Sequence, residues 1–250
     1  VHDSEHYAPA RRQEVFSCSC CPPNITRFIA SIADYQYTYD QDTVYVHQYM
    51  SGVANFDLYG TSVKISQKTN YPISGDVDIV VKNMKGKTLA VRIPFWSKNF
   101  TMYLDGGKSD KEIKDGYVYI NIKSDMMSLT LRFDMNPRVM YSDPHNTSDA
   151  ARVLLCRGPL VYCMESCDNA QPLRSLRLLL PLEVEEFYNQ ELDCIQISAR
   201  SLISEAPQGN SSLYYSDPVT RSVTSEWIPY YAFANREECD MLVWCSYNEQ

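Results

Sequence analysis

Thr43-Val44-Tyr45-Val46-His47-Gln48-Tyr49-Met50, TVYVHQYM, is where the pattern of this chain changes. Before it, apolar residues recur at helical spacing. Within it they alternate, with Val44 and Val46 set against Tyr45 and His47. Alternation puts successive side chains on opposite faces of a strand, so one face can be buried. The same period continues downstream through VKISQ (63–67), VDIVV (77–81), TLAVRI (88–93), FTMYL (100–104), YVYINI (117–122) and LTLRF (129–133). Turn signals separate several of these runs: Ser74-Gly75-Asp76, Lys85-Gly86-Lys87, Asp105-Gly106-Gly107 and Asp115-Gly116. The last predicts a two-residue hairpin between Glu112-Ile113-Lys114 and YVYINI. Many short strands with no clear helix between them predict a β-sandwich over residues 41–142.

A polar, proline-containing break follows at Ser142-Asp143-Pro144-His145-Asn146. Beyond it, residues 143–250 form a second β-rich module. It opens with ARVLLCRGPLVYCME (151–165) and closes with EWIPYYAFANREECDMLVWCSY (226–247). QGNSSLYYSDPVT (208–220) has the composition of a loop. The acidic Glu183, Glu185 and Glu186 fit a solvated strand face.

Upstream of TVYVHQYM, Ile25, Phe28, Ile29, Ile32 and Ala33 follow the spacing of one helix face. Pro22 and Pro23 suit a first helical turn, where a missing N–H costs little. The helix should fade near Tyr35, and Asp40-Gln41-Asp42 has the look of a turn. The fold class is therefore mainly β: two β-sandwich-like modules preceded by a single helix in residues 1–40.

Composition narrows the partners. The 250 residues carry a formal charge of −8, and the basic residues are scattered. There is no basic footprint for nucleic acid. No apolar run approaches the roughly 18 residues that span a membrane. LRLLLPL (176–182) is short and interrupted by Arg177 and Pro181. The chain opens at Val1 rather than Met, and VHDSEHYAPARRQEV has no signal-peptide pattern. It reads as a piece of something longer. Nine cysteines cannot all pair internally. Thiols in a reducing, cytoplasmic compartment are favoured. A targeting signal upstream of Val1 would instead make the protein periplasmic or secreted.

The densest chemistry is Ser17-Cys18-Ser19-Cys20-Cys21-Pro22-Pro23-Asn24, SCSCCPPN. A disulfide between adjacent Cys20 and Cys21 would strain the peptide, and one from Cys18 would be tight. Zinc is a second reading, since thiolates bind it at about 2.3 Å in a tetrahedron. A closed site would need further ligands, for which the C-x3-C of Cys163 and Cys167 is a loose candidate. Those two also fit as core cysteines at a strand end. A nucleophile is the third reading, because a helix N-terminus or a bound metal lowers a thiol pKa. Nothing marks His2, His6, His47 or His145 as its base. The fourth reading is that the thiols fill space at a helix start.

CCPPNITRFIASIADYQYTYDQDTVYVHQYM (20–50) resembles the signature of glycoside hydrolase family 127, the β-L-arabinofuranosidases. Arg27 and the Ala30-Ser31 helix belong to the same signature. LAVRIPFWSKN (89–99), ARVLLCRGPLVYCME and WIPYYAFANR (227–236) resemble the family too, so the likeness runs from Val15 to Trp244. It implies that residues 1–40 are what remains of an (α/α)6 catalytic barrel, followed by β-sandwich domains. It implies a retaining exo-glycosidase acting on an arabinose-containing glycan. It also implies zinc held by one glutamate and three cysteines. By that likeness Cys20 is the nucleophile and a zinc ligand, and Cys21 is a further zinc ligand. Cys18 matches no ligand position.

The resemblance also implies a missing half. The family's acid/base glutamate and its other two zinc ligands lie upstream of the signature, where only nineteen residues precede Cys20. Glu5 and Glu14 sit in no matching context. This chain alone is therefore expected to be inactive and to hold zinc weakly or not at all. Two other roles suit the β modules. One is sugar binding on Trp96, Trp227 or Tyr230-Tyr231, which core packing would equally explain. The other is structural, as a homodimer formed through the β modules.

Overall fold

The computed structural model describes residue 12, residues 19–169 and residues 172–249. It divides into two compact units, Phe16–Met135 and Asn136–Gln250 with Val1–Val15.

The first unit begins with helix α1 (Cys21–Ser31) and a 3-10 turn, Ile32–Tyr35. Strands β1 (Tyr37–Tyr39) and β2 (Thr43–Val46) follow. Asp40 joins them by accepting the N–H groups of Asp42 and Thr43, so the turn expected there forms. Next come β3 (Gly52–Leu58), β4 (Thr61–Thr69), β5 (Asp76–Lys82) and β6 (Thr88–Arg92). Then come β7 (Phe100–Leu104), β8 (Gly107–Lys108), β9 (Tyr117–Asn121) and β10 (Met126–Phe133).

These strands make two sheets, ordered β1-β2-β6-β9 and β3-β4-β5-β10-β7-β8. The alternating residues of both sheets meet in one core. Val44, Val46, Leu89 and Val91 come from one sheet, and Val63, Ile65, Ile79 and Leu131 from the other. That is the β-sandwich arrangement the period of two requires.

One local expectation fails. Asp115 and Gly116 both take positive φ, and Lys114 and Tyr117 exchange backbone hydrogen bonds, so the two-residue turn forms. No hairpin extends from it. Lys114 makes only an isolated bridge, and β9 pairs with β6 instead. The residues before Lys114 are polar apart from a half-exposed Ile113, so that arm has no apolar face to bury.

The first unit ends at Met135, and the strand Pro137–Tyr141 pairs within the second. That strand is β11. The second unit continues with β12 (Val153–Arg157), β13 (Leu160–Glu165), β14 (Leu176–Leu180) and β15 (Val184–Asn189). It ends with β16 (Cys194–Glu205), β17 (Val219–Pro229), β18 (Met241–Leu242) and β19 (Ser246–Glu249). The main path is β11-β12-β13-β17-β16-β14-β19, with β15 on β16 and β18 on β13. Reciprocal backbone bonds between Val153 and Cys245 tie β12 to the residue before β19, so the sheet curls back on itself. Its interior holds Tyr162, Leu178, Ile197 and the fully buried Trp227.

Candidate functional site

Cys20 and Cys21 stand at the N-terminus of α1, with Cys20 as its N-cap. An N-cap residue usually takes extended backbone. Cys20 is already helical, at φ −72 and ψ −37. The two consecutive side chains therefore fan from one turn, and their sulfurs lie 3.7 Å apart, both exposed. That is a contact, not a disulfide. Two sulfurs bound at about 2.3 Å to one tetrahedral zinc stand about 3.8 Å apart. The pair thus fits two corners of a zinc shell. The Asn24 side chain donates to the Cys20 carbonyl at 2.8 Å and braces the turn. With Cys20 as N-cap, Pro22 and Pro23 fill two of the four positions whose N–H groups lack helical partners, leaving Cys20 and Cys21 as donors there. The helix end is thus a weak anion site.

The apolar face of α1 behind these thiols is mostly exposed, with the Tyr35 ring set 6.0 Å from that of Phe28. Ile25, Phe28 and Ile29 are all more than half exposed, and no residue of the helix is buried. The helical apolar spacing is present, but most of that face stays exposed among the described residues.

A second donor group lies in the other unit. Glu165, Cys167 and Cys239 bring one carboxylate oxygen and two sulfurs within 4.8 Å of one another. Glu165 is buried and Cys167 and Cys239 are half-buried. Glu165 Oε1 accepts the Ala234 N–H at 2.9 Å and the Cys239 thiol at 3.6 Å. Its Oε2 accepts from Arg236 at 2.7 Å, and Arg236 also clamps Asp168 with both terminal nitrogens. Burial pushes the Cys239 thiol up to about 12, with the Glu165 charge adding to it. Burial likewise raises Cys167, with the Asp168 charge adding to it. C-x3-C spacing singles out Cys163 and Cys167, but the structure brings Cys167 to Cys239. Cys163 is fully buried in β13, where burial pushes it up to about 12.

The other residues named by sequence take quieter places. His47 Nδ1 and Nε2 are 2.8 Å from the Tyr117 hydroxyl and 2.7 Å from Thr38 Oγ1. Burial, then Arg92, holds its pKa below the usual histidine value. His145 is exposed and bonds Asp143 in its own turn. Glu183 and Glu186 lie on an exposed edge, but Glu186 also binds the buried Arg157 at 2.5 Å. Trp96 is half-buried among Tyr71 and Phe133, and Trp227 is wholly inside, so both pack rather than present a platform. Tyr230 and Tyr231 are half exposed. Cys18, His2, His6, Glu5 and Glu14 lie outside the described residues. No helix among the described residues is long and apolar enough to cross a membrane.

Comparison with known proteins decides the family. Residues 43–135 match the β-L-arabinofuranosidase middle domain of glycoside hydrolase family 127, and residues 137–246 match that family's C-terminal domain. The chain belongs to glycoside hydrolase family 127. Two family members make the likeness concrete. A non-reducing end β-L-arabinofuranosidase from Bifidobacterium longum subsp. longum is 31% identical over 258 aligned residues, covering 95% of this chain and 38% of that protein. The crystal structure of a family 127 β-L-arabinofuranosidase from Geobacillus stearothermophilus T6 is 36% identical, with a TM-score of 0.92. That match covers 99% of this chain and 40% of the other. A further family 127 β-arabinofuranosidase structure is 29% identical with a TM-score of 0.83, over 95% of this chain and 40% of its own. This family 127 chain therefore spans about two fifths of the length of the relatives it matches.

Proposed function

We propose that this chain supplies the sulfur pair and β domains of a retaining glycosidase that hydrolyses β-L-arabinofuranosides. The observation that carries the proposal is the pair of exposed sulfurs 3.7 Å apart at the start of α1, in a chain of this family. The substrate class is that in the names of the relatives. The exposed stripe of α1 suits a helix whose packing partners belong to a helical barrel elsewhere in the parent protein.

Cys20 and Cys21 would hold zinc together with a glutamate and a third cysteine that the family resemblance places outside this chain. Zinc, when bound, keeps sulfur deprotonated at neutral pH and fixes its direction. Cys20 Sγ attacks the anomeric carbon, and a new S–C bond replaces the bond to the leaving oxygen. A carboxylic acid of the parent protonates that oxygen. The same group then takes a proton from water, whose oxygen displaces Cys20 Sγ. Two inversions give net retention, with a thiolate in the place of the usual second carboxylate. Cys21 acts as a brace for the shared cation and takes no part in bond making.

This chain alone lacks that proton donor in the proposed scheme, so it should not hydrolyse an aryl β-L-arabinofuranoside. Activity of the purified 250-residue chain, scaling with its concentration, would overturn the division of labour. Loss of activity in the intact parent on Cys20→Ala, with the fold retained, is the expected result for the nucleophile.

A further inference from the structure

We propose that Glu165, Cys167 and Cys239 form a binding site for one thiophilic divalent cation of the zinc class. The group shares no residue with the Cys20–Cys21 pair. Its assembly follows from strand register. β13 and β18 pair antiparallel with Met164 opposite Leu242 and Glu165 opposite Met241. The same register continues past the strand ends, since the Ser166 N–H donates to the Asp240 carbonyl at 2.9 Å. The Asp240 N–H returns a bond to Ser166 Oγ at 2.9 Å. One step further, Cys167 falls opposite Cys239. β13 ends at Glu165 in a turn, with the Asp168 N–H donating to the Glu165 carbonyl at 3.2 Å, and that turn leaves the Cys167 sulfur beside the Glu165 carboxylate, so the three donors converge there.

The distances suit a tetrahedral ion. An oxygen at about 2.0 Å and a sulfur at about 2.3 Å from one zinc lie about 3.5 Å apart. Glu165 Oε1 and Cys239 Sγ are 3.6 Å apart. Glu165 is also aimed as a metal carboxylate is: Arg236 occupies Oε2 and the Ala234 N–H takes one lone pair of Oε1. The other contact of Oε1 is the Cys239 sulfur, with the Cys167 sulfur within 4.8 Å. Such outer partners fix the direction of a ligand. The charge balance is favourable as well. Glu165, Asp168 and Arg236 together carry one negative charge. One divalent cation replaces two thiol protons, which leave to solvent, and the local charge does not change. The half-exposed sulfurs give the ion a path in, and water would complete the shell.

The test uses the whole chain with Cys20→Ser and Cys21→Ser, so that the other sulfur pair cannot bind. Metal-free protein in a reducing buffer is titrated with Cd2+ and with Zn2+. The expected result is one equivalent bound, with a sulfur-to-cadmium absorption band. X-ray absorption of the zinc form should give two sulfurs at about 2.3 Å and oxygen at about 2.0 Å. Cys167→Ser with Cys239→Ser should abolish the band, and Glu165→Gln should weaken binding by about tenfold or more. A shell of oxygen and nitrogen alone, no band, or a band that survives loss of both cysteines would overturn the proposal. So would peptide mapping that finds Cys167 joined to Cys239 in the reducing buffer, which would make the pair a disulfide. The absorption measurement needs no mutation at the site, so misfolding of the cysteine variants cannot obscure the outcome.

Discussion

Cys20 and Cys21 are legible in sequence because their chemistry is local. Two thiols before two prolines announce a helix start, and helical backbone at Cys20 is enough to set the sulfurs side by side. Cys167 and Cys239 are the opposite case. They are far apart in the chain, no periodicity links them, and only the β13–β18 register brings them together. Spacing points to Cys163 instead, which is closer in sequence and buried away in the core. His47 carries a residue-scale prediction. Its folded pKa is lowered by burial and then by Arg92, while Tyr117 and Thr38 hold both ring nitrogens. Below the ordinary histidine value of about 6.5, the unfolded chain binds the proton more readily than the folded one. Stability of the first unit should therefore fall as pH drops below that value. Urea unfolding followed at pH 7.5 and pH 5.5 should show the drop, and His47→Gln should reduce it. An unchanged drop in the variant would assign the effect to other groups.

Among elements, strands were easier to foresee than their partners. Alternation marks β4, β5, β6, β7, β9 and β10, because each buries one face in a common core. Pairing depends on what lies across the sheet, so Asp115-Gly116 makes its turn while β9 finds β6. Gly75 is a similar lesson. In sequence it belongs to a turn signal, but in the fold it lets β5 approach the end of β10. A Cβ there would stand 2.1 Å from the Phe133 carbonyl oxygen, whose own N–H donates to Gly75 at 3.0 Å. Gly75→Ala should cost about 1–3 kcal/mol or more, read as a lower urea midpoint for the first unit. Trp227 anchors the second unit. It is fully buried and its Nε1–H donates to Ser225 Oγ at 2.9 Å, itself 2.7 Å from Ser201 Oγ. Trp227→Ala should destabilise that unit by about 3–5 kcal/mol in circular-dichroism melts. A near-neutral effect would contradict its place in the core. The stripe on α1 is the element whose spacing was clear and whose packing was not. Its apolar residues follow helical period, yet Ile25, Phe28 and Ile29 all stay more than half exposed.

For the whole molecule, family and β architecture were both legible. The signature around Cys20 and the strand-rich sequence after it lead to the same two family 127 domains. Activity is less legible, since this chain spans about two fifths of the length of its relatives. Zinc affinity should follow that division: the Cys20–Cys21 pair should hold zinc far more tightly in the intact parent than in this chain. Competition with a chromophoric chelator would measure the difference, in chains carrying Cys167→Ser and Cys239→Ser so that only this pair reports. Catalysis as proposed depends on Cys20 Sγ forming the bond to sugar. Its most direct measurement is the rate of aryl β-L-arabinofuranoside hydrolysis by the intact parent before and after Cys20→Ala. With the fold intact, kcat should fall by about a thousandfold or more. Hydrolysis retained at close to the original rate would contradict it.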